Sequence, residues 1–254
     1  MSTDSHVHQD EAGATGSPEI AWAFRHPMSH VRLWIAVVGG LGLDLWSKEW
    51  AFSTLKWNES RTIVESFLGF HLSLNPGALF GLGDGFAPIF VGASVLALIF
   101  VLYLFANSSA KQWSLHLALG LVLAGAVGNL YDRTTQEACV VRLEGPQGSR
   151  RAIGTLQSAD GESVTIVDYG TRDRNPRTWP IAGGSTGDRK RLEIVEYGPQ
   201  PVVRDFIKFE VKIAGREIYP WIFNVADAML VVGVGILLMN FWRERKHHEP
   251  AEGA

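Results

Sequence analysis

Residues 86–106 read FAPIFVGASVLALIFVLYLFA, without one charged side chain. A helix rises about 1.5 Å per residue, so roughly 20 apolar residues cross the hydrocarbon of a bilayer. The β-branched and aromatic content would suit a buried strand, but the run is about three times too long for one. It predicts a spanning helix. Stretches 31–52, 113–131 and 221–242 have similar length and apolarity and predict the same. A soluble chain of 254 residues would need a very large core to bury four such helices. The expected fold class is an α-helical integral membrane protein: four transmembrane helices, with a small extracytoplasmic β-rich insert between the third and the fourth.

Bulk composition is compatible with many classes, since 46% of residues are hydrophobic and 19% charged. The exclusions are sharper. A net charge of −3 excludes a chain held to nucleic acid by bulk positive charge. A single cysteine, Cys139, excludes an intrachain disulfide framework and any multi-cysteine metal site, and reads as a small buried hydrophobe. Residues 1–30 lack the basic start and short apolar core of a removable signal peptide and read as a disordered polar tail.

Lysine and arginine in the short flanks set the orientation. Arg25, Arg32, Lys111, Arg243, Arg245 and Lys246 place both tails and the turn at 107–112 in the cytoplasm. The loop at 53–85 and the long segment at 132–220 then lie outside. In that long segment arginines alternate with acidic residues, as on a solvated surface. IGTLQS and SVTIVDY flank Ala-Asp-Gly-Glu, a hairpin signal, and RLEIVEY and FIKFEVKI alternate like strands. The Gly/Pro-rich run at 175–187 reads as a loop.

Ionisable residues inside spans cost roughly 2.5–3.5 kcal/mol each on insertion scales, so each invites a functional explanation. Asp44 and Lys48 on the first span, Asn129 and Asp132 on the third, and Asn224 and Asp227 on the fourth all fall at outer-leaflet depth. Helical spacing puts Asp44 with Lys48, Asn129 with Arg133, and Asn224 with Asp227 on shared faces. Asp44 and Lys48 also suit a simple intrahelical ion pair, and Asp132-Arg133 a charged interfacial stop. Asp227 has no basic residue within a turn of its own helix. Two neighbouring carboxylates that share a proton can activate a water against a peptide carbonyl. Asp205 and Asp132 compete as its partner.

The strings DLWSK at 44–48, NPGALF at 75–80, GNLYDR at 128–133, VVRDFI at 202–207 and FNVAD at 223–227, in this order, resemble the lipoprotein signal peptidases, or signal peptidase II. The resemblance covers residues 31–133 and 202–242. It implies an aspartic endopeptidase of the bacterial inner membrane. Such enzymes remove the signal peptide from diacylglyceryl-modified prolipoproteins by cutting before the lipidated cysteine, with no metal and no cofactor. The implied catalytic residues are Asp205 and Asp227. Asp44, Lys48, Asn75, Gly77, Asn129, Asp132, Arg133 and Asn224 are implied to bind substrate or shape the site. A monomer, contact with membrane lipid as well as substrate, and sensitivity to globomycin are implied too.

The expected organisation is a cytoplasmic tail at 1–30, three spans with an outer loop at 31–133, and the insert at 134–201. A catalytic segment with the fourth span at 202–242 and a cytoplasmic tail at 243–254 follow. The chain departs from the family in two ways: a long insertion separates Arg133 from Asp205, and Leu79 stands where a small residue is expected. Two other readings carry less. An ion-coupled carrier relaying protons through Asp44, Asp132 and Asp227 would place its site near the midplane between repeats, and the sequence has no repeat. An inactive peptidase-like scaffold would have no reason to keep both aspartates.

Overall fold

Val38, Leu96 and Val231 are 67, 68 and 71% exposed, whereas Asp44, Lys48 and Asp132 are fully buried. Apolar side chains facing out and charges facing in is the arrangement of a bundle whose solvent is lipid. The computed structural model describes residues 22–57, 59–77, 87–145, 148–169, 175–181, 193–213, 215–219 and 221–248. Leu79 lies outside these, as does most of the segment expected to be an N-terminal tail.

The bundle consists of α1 (Pro27–Thr54), α2 (Ala87–Ala106), α3 (Trp113–Thr135) and α4 (Val225–His248). Among the described residues three helices are long and apolar enough to cross a membrane: Pro27–Thr54, Trp113–Thr135 and Val225–Arg245. In α2 the qualifying apolar stretch is the shorter Val95–Ala106. α1 begins inside the segment read as a tail, with proline at its first turn, where a missing N–H costs nothing. α3 packs against α1, α2 and α4. Leu33 and Val37 of α1, Val101 and Phe105 of α2, and Leu119 and Val122 of α3 share one apolar core. Small residues let the helices approach closely: a Cβ on Gly125 would lie 2.5 Å from the Ala226 carbonyl oxygen.

Two larger sheets and a two-stranded ribbon accompany the helices among the described residues. The first has the order β1-β2-β8-β11, where β1 is Arg61–Val64, β2 Leu68–Asn75, β8 Val203–Phe209 and β11 Ile222–Phe223. It pairs the loop after α1 with the strand that precedes α4. The expected fourth span starts late for this reason: Ile222 and Phe223 pair with Lys208 and Ile207, so the helix begins only at Val225. FIKFEVKI is likewise broken, ending β8 at Phe209 and resuming as β9 (Lys212–Ile213), which pairs with β10 (Arg216–Glu217).

The second sheet contains β3 (Glu137–Gly145), β4 (Gly148–Ala159), β5 (Ser163–Asp168), β6 (Pro176–Pro180) and β7 (Glu193–Pro201), in the order β6-β5-β4-β3-β7. The β4–β5 hairpin lies where Ala-Asp-Gly-Glu signalled it. Its turn is held by Asp160, whose Oδ1 accepts from the backbone N–H of Glu162 and Ser163 at 2.9 and 2.6 Å. These donors hold the exposed Asp160 carboxyl below its ordinary range. The run read as a loop from 175 contains β6, an edge strand that tolerates its terminal prolines. A bridge from Ile181 to Ile194 brings the two edges together, so the sheet curls around Cys139, Val141, Leu143, Ala152, Val164 and Ile166. At its root Glu137 pairs with Pro201, and the Val202 N–H donates to the Gln136 carbonyl at 3.1 Å.

Candidate active site

The first turn of α4 carries one half of the site. A helix start leaves its first N–H groups without intrahelical partners. Here Asn224 is the N-cap: its Oδ1 accepts from the Asp227 N–H at 2.9 Å, and Asp227 Oδ2 accepts in return from the Asn224 N–H at 3.3 Å. This reciprocal pair is a capping box with aspartate at its third helical position. A further orphan donor of this turn, the buried Ala226 N–H, bonds to Asp44 Oδ1 on α1 at 2.9 Å. Three residues of the expected set thus set the start of α4.

The strand β8 carries the other half. In the antiparallel register Ser73 faces Asp205 and Asn75 faces Val203, so Asn75 is the diagonal neighbour of Asp205 on the same face. Asn75 Nδ2 donates to Asp205 Oδ2 at 3.2 Å. The halves are joined by amides. Asn224 Nδ2 donates to Asp205 Oδ1 at 2.7 Å and to Asn129 Oδ1 at 3.1 Å, and Asn129 Nδ2 donates to Asp227 Oδ1 at 2.8 Å. An unbroken hydrogen-bonded chain therefore runs from Asp205 through Asn224 and Asn129 to Asp227.

Burial, and after it the charge of Asp227, push the Asp205 carboxyl well above the usual carboxylate range; the amides of Asn224 and Asn75 and the Lys48 charge pull against them. The same pair of carboxylates, acting after burial, raises the Tyr219 hydroxyl.

Behind the pair lies a layer of buried charge. Lys48 Nζ is 2.8 Å from Asp44 Oδ2, 3.2 Å from Asp132 Oδ2 and 3.3 Å from Asn129 Oδ1. Arg133 donates to the Gly77 carbonyl at 2.9 Å, and the Gly77 N–H donates to Asn75 Oδ1 at 3.0 Å. Every residue singled out from the sequence is thereby joined in one network. Asp132 does not stand beside Asp227; its carboxylate is taken up by Lys48 and by a residue the sequence reading passed over, Arg204. The signal was present, since Arg204 is the one cation in the string VVRDFI, directly beside Asp205. Among the described residues, no three His, Cys, Asp or Glu side chains converge as a metal site requires.

A sequence profile of signal peptidase (SPase) II matches residues 36–243. The chain belongs to the signal peptidase II family. Among its relatives are lipoprotein signal peptidases of Desulfitobacterium hafniense, 35% identical over 76% of this chain and 82% of that protein, and of Streptomyces griseus, 31% identical over 55% and 73%. That of Rhodopirellula baltica is 39% identical, but the match spans 39% of this chain and 46% of the relative. A bacterial membrane enzyme solved by the in meso method shares the fold, with a TM-score of 0.54 and 18% identity over 91% of this chain and 97% of its own. As a signal peptidase II family member this chain is a membrane protease of the family's aspartic type, and of the expected fold the integral membrane protein is supported.

Proposed function

We propose that this protease removes signal peptides from diacylglyceryl-modified prolipoproteins with Asp205 and Asp227 as its catalytic pair. Removal of signal peptides from prolipoproteins follows from family membership. The observation that carries the assignment is the chain Asp205–Asn224–Asn129–Asp227, which ties two carboxylates from different elements into one buried site. The environments differ in the way an acid and a base require. Asp227 accepts hydrogen bonds from Asn129 Nδ2 and the Asn224 N–H and takes the proton of the attacking water. Asp205, driven toward its protonated form, gives its proton to the scissile carbonyl oxygen; as the C–N bond breaks, Asp227 passes the water's proton to the departing amine and Asp205 recovers a proton from the gem-diol hydroxyl. The amides fix both carboxylates before substrate arrives, so little reorganisation is needed at the transition state.

In this reading α2 also crosses the bilayer, bringing the spans to four, the termini are cytoplasmic, and the sheets stand outside a bacterial inner membrane. Cleavage falls before the lipidated cysteine, because a site at outer-leaflet depth meets the scissile bond while lipid and signal helix stay in the bilayer. The enzyme acts as a monomer, without metal or cofactor, and globomycin inhibits it. The curled sheet at 137–201 belongs to a separate outer unit over the site; the stacking of Tyr169 on Trp57, with centroids 4.4 Å apart, supports that placement. Incubation of the purified protein with a diacylglyceryl-prolipoprotein tests the reading: release of the signal peptide is expected, and an intact substrate beside a folded enzyme would overturn it.

A further inference from the structure

We propose that Arg204 is a positioning residue for the reaction, acting through Asp132 and Lys48 on both halves of the catalytic pair. The inference rests on the assignment of Asp205 and Asp227 given above. Arg204 immediately precedes Asp205 on β8, and strand alternation turns its side chain to the opposite face, toward α1 and α3. There it is 8% exposed and fully committed. Nη2 and Nε donate to Asp132 Oδ1 at 2.9 and 3.2 Å, the backbone N–H donates to Asp132 Oδ2 at 3.0 Å, and Nη1 reaches Glu49 on α1 at 3.2 Å. A planar fork held by two helices fixes the strand at the residue next to Asp205 more tightly than a flexible ammonium would.

The second effect runs through charge. Asp132 lies between two cations, Arg204 and Lys48. Because Arg204 balances Asp132, the ammonium of Lys48 is shared with Asp44 and with Asn129 Oδ1. That contact, with the Asn224 Nδ2 donor at 3.1 Å, orients the Asn129 amide so that its Nδ2 faces Asp227. Without Arg204, Asp44 and Asp132 would compete for one lysine, and Asn129 would lose one of the two donors that set its orientation. The charged groups facing this layer are Asp44, Lys48 and Glu49 from α1, Asp132 and Arg133 from α3, and Asp227 from α4, with Asp205 on the strand itself and Tyr219 beyond it.

The test compares Arg204→Met, Arg204→Lys and Asp205→Asn in the full-length enzyme, with folding followed by thermal unfolding in detergent. Arg204→Met is expected to lower kcat on the order of 10²-fold, with KM nearly unchanged, as misplacement of a reacting group does. Removing a cation beside carboxylates favours their protonated forms, so both limbs of the pH–rate profile should move to higher pH. Arg204→Lys keeps the charge and loses the fork: its profile should return to the wild-type position while kcat recovers only in part. Wild-type kcat and pH limbs in folded Arg204→Met would overturn the proposal, as would a loss of rate that only tracks the unfolded fraction. Should Arg204→Met not fold, Arg204→Lys decides alone, and wild-type kcat there overturns it. Inactive Asp205→Asn beside wild-type Arg204 variants refutes Arg204 alone, whereas active Asp205→Asn refutes the catalytic pair beneath it.

Discussion

Asn224 donates its side-chain Nδ2 to Asp205 at 2.7 Å while its Oδ1 caps the helix that carries Asp227, accepting from the Asp227 N–H at 2.9 Å. One residue therefore sets the geometry of both carboxylates, and helix initiation and site assembly are the same event. A folding detail, the N-cap, is spent on chemistry.

Replacing Asn224 with alanine removes the cap and both amide bonds. The lost cap alone should cost about 1 kcal/mol of stability. The lost hydrogen bonds should lower kcat on the order of 10²-fold, the scale for one preorganised donor. Thermal unfolding and steady-state cleavage measured on the same preparation separate the two effects.

Lys48 is the shared cation of Asp44 and Asp132, all three fully buried. Lys48→Met leaves two buried carboxylates short of compensation, for which about 3–5 kcal/mol of destabilisation is expected. A far smaller shift in unfolding by denaturant would mean that water reaches the layer.

The raised Asp205 carboxyl gives a pH dependence of stability with a definite sign. A carboxyl raised on folding binds its proton more tightly in the folded state, so its contribution is fully present below the unfolded pKa of about 3.9. That contribution is lost as pH rises through the folded value. Asp205→Asn has no such group, so the stability of wild type relative to this variant should fall as pH is raised from about 4 toward neutrality. Paired melting curves across that range check it; a parallel pair of curves would contradict it.

The sheet at 137–201 begins and ends side by side. Glu137 and Pro201 are a paired register position at its root, so its ends stand about one strand spacing apart. Replacing 137–199 with a short polar linker should preserve insertion and some cleavage but shift KM or substrate preference. Trp57→Ala, which removes the ring stacked on Tyr169, should loosen the sheet and speed its proteolysis. Kinetics on a panel of lipidated substrates measures the first and timed digestion the second.

The helices were readable because their segments are long, apolar and uninterrupted: 86–106 predicts α2 to within a residue, and 113–131 predicts the start of α3, which runs on to Thr135. Their ends were less so. Ile222 and Phe223 are apolar enough to extend the last span, and only their pairing with β8 makes them strand. The site residues stood out as polar groups at one depth, yet their connections depend on contacts between distant segments. Nothing local says that Asn75 is a diagonal neighbour of Asp205 across two strands, or that Asp44 caps α4. Asp132 competed with the preferred Asp205 as a partner for Asp227; Lys48 and the guanidinium of Arg204, seventy-two positions away, are what occupy it. The sheet at 137–201 was legible as strands, while its curled closure through Ile181 and Ile194 was not.

The most direct test is cleavage of a diacylglyceryl-prolipoprotein by Asp205→Asn and Asp227→Asn, each confirmed as folded and membrane-inserted. A carboxamide keeps the size of the side chain and one acceptor oxygen but cannot carry a proton between water and carbonyl. Both variants should lose cleavage completely while binding substrate. Full activity in either folded variant would contradict the pairing of Asp205 with Asp227 as the catalytic centre.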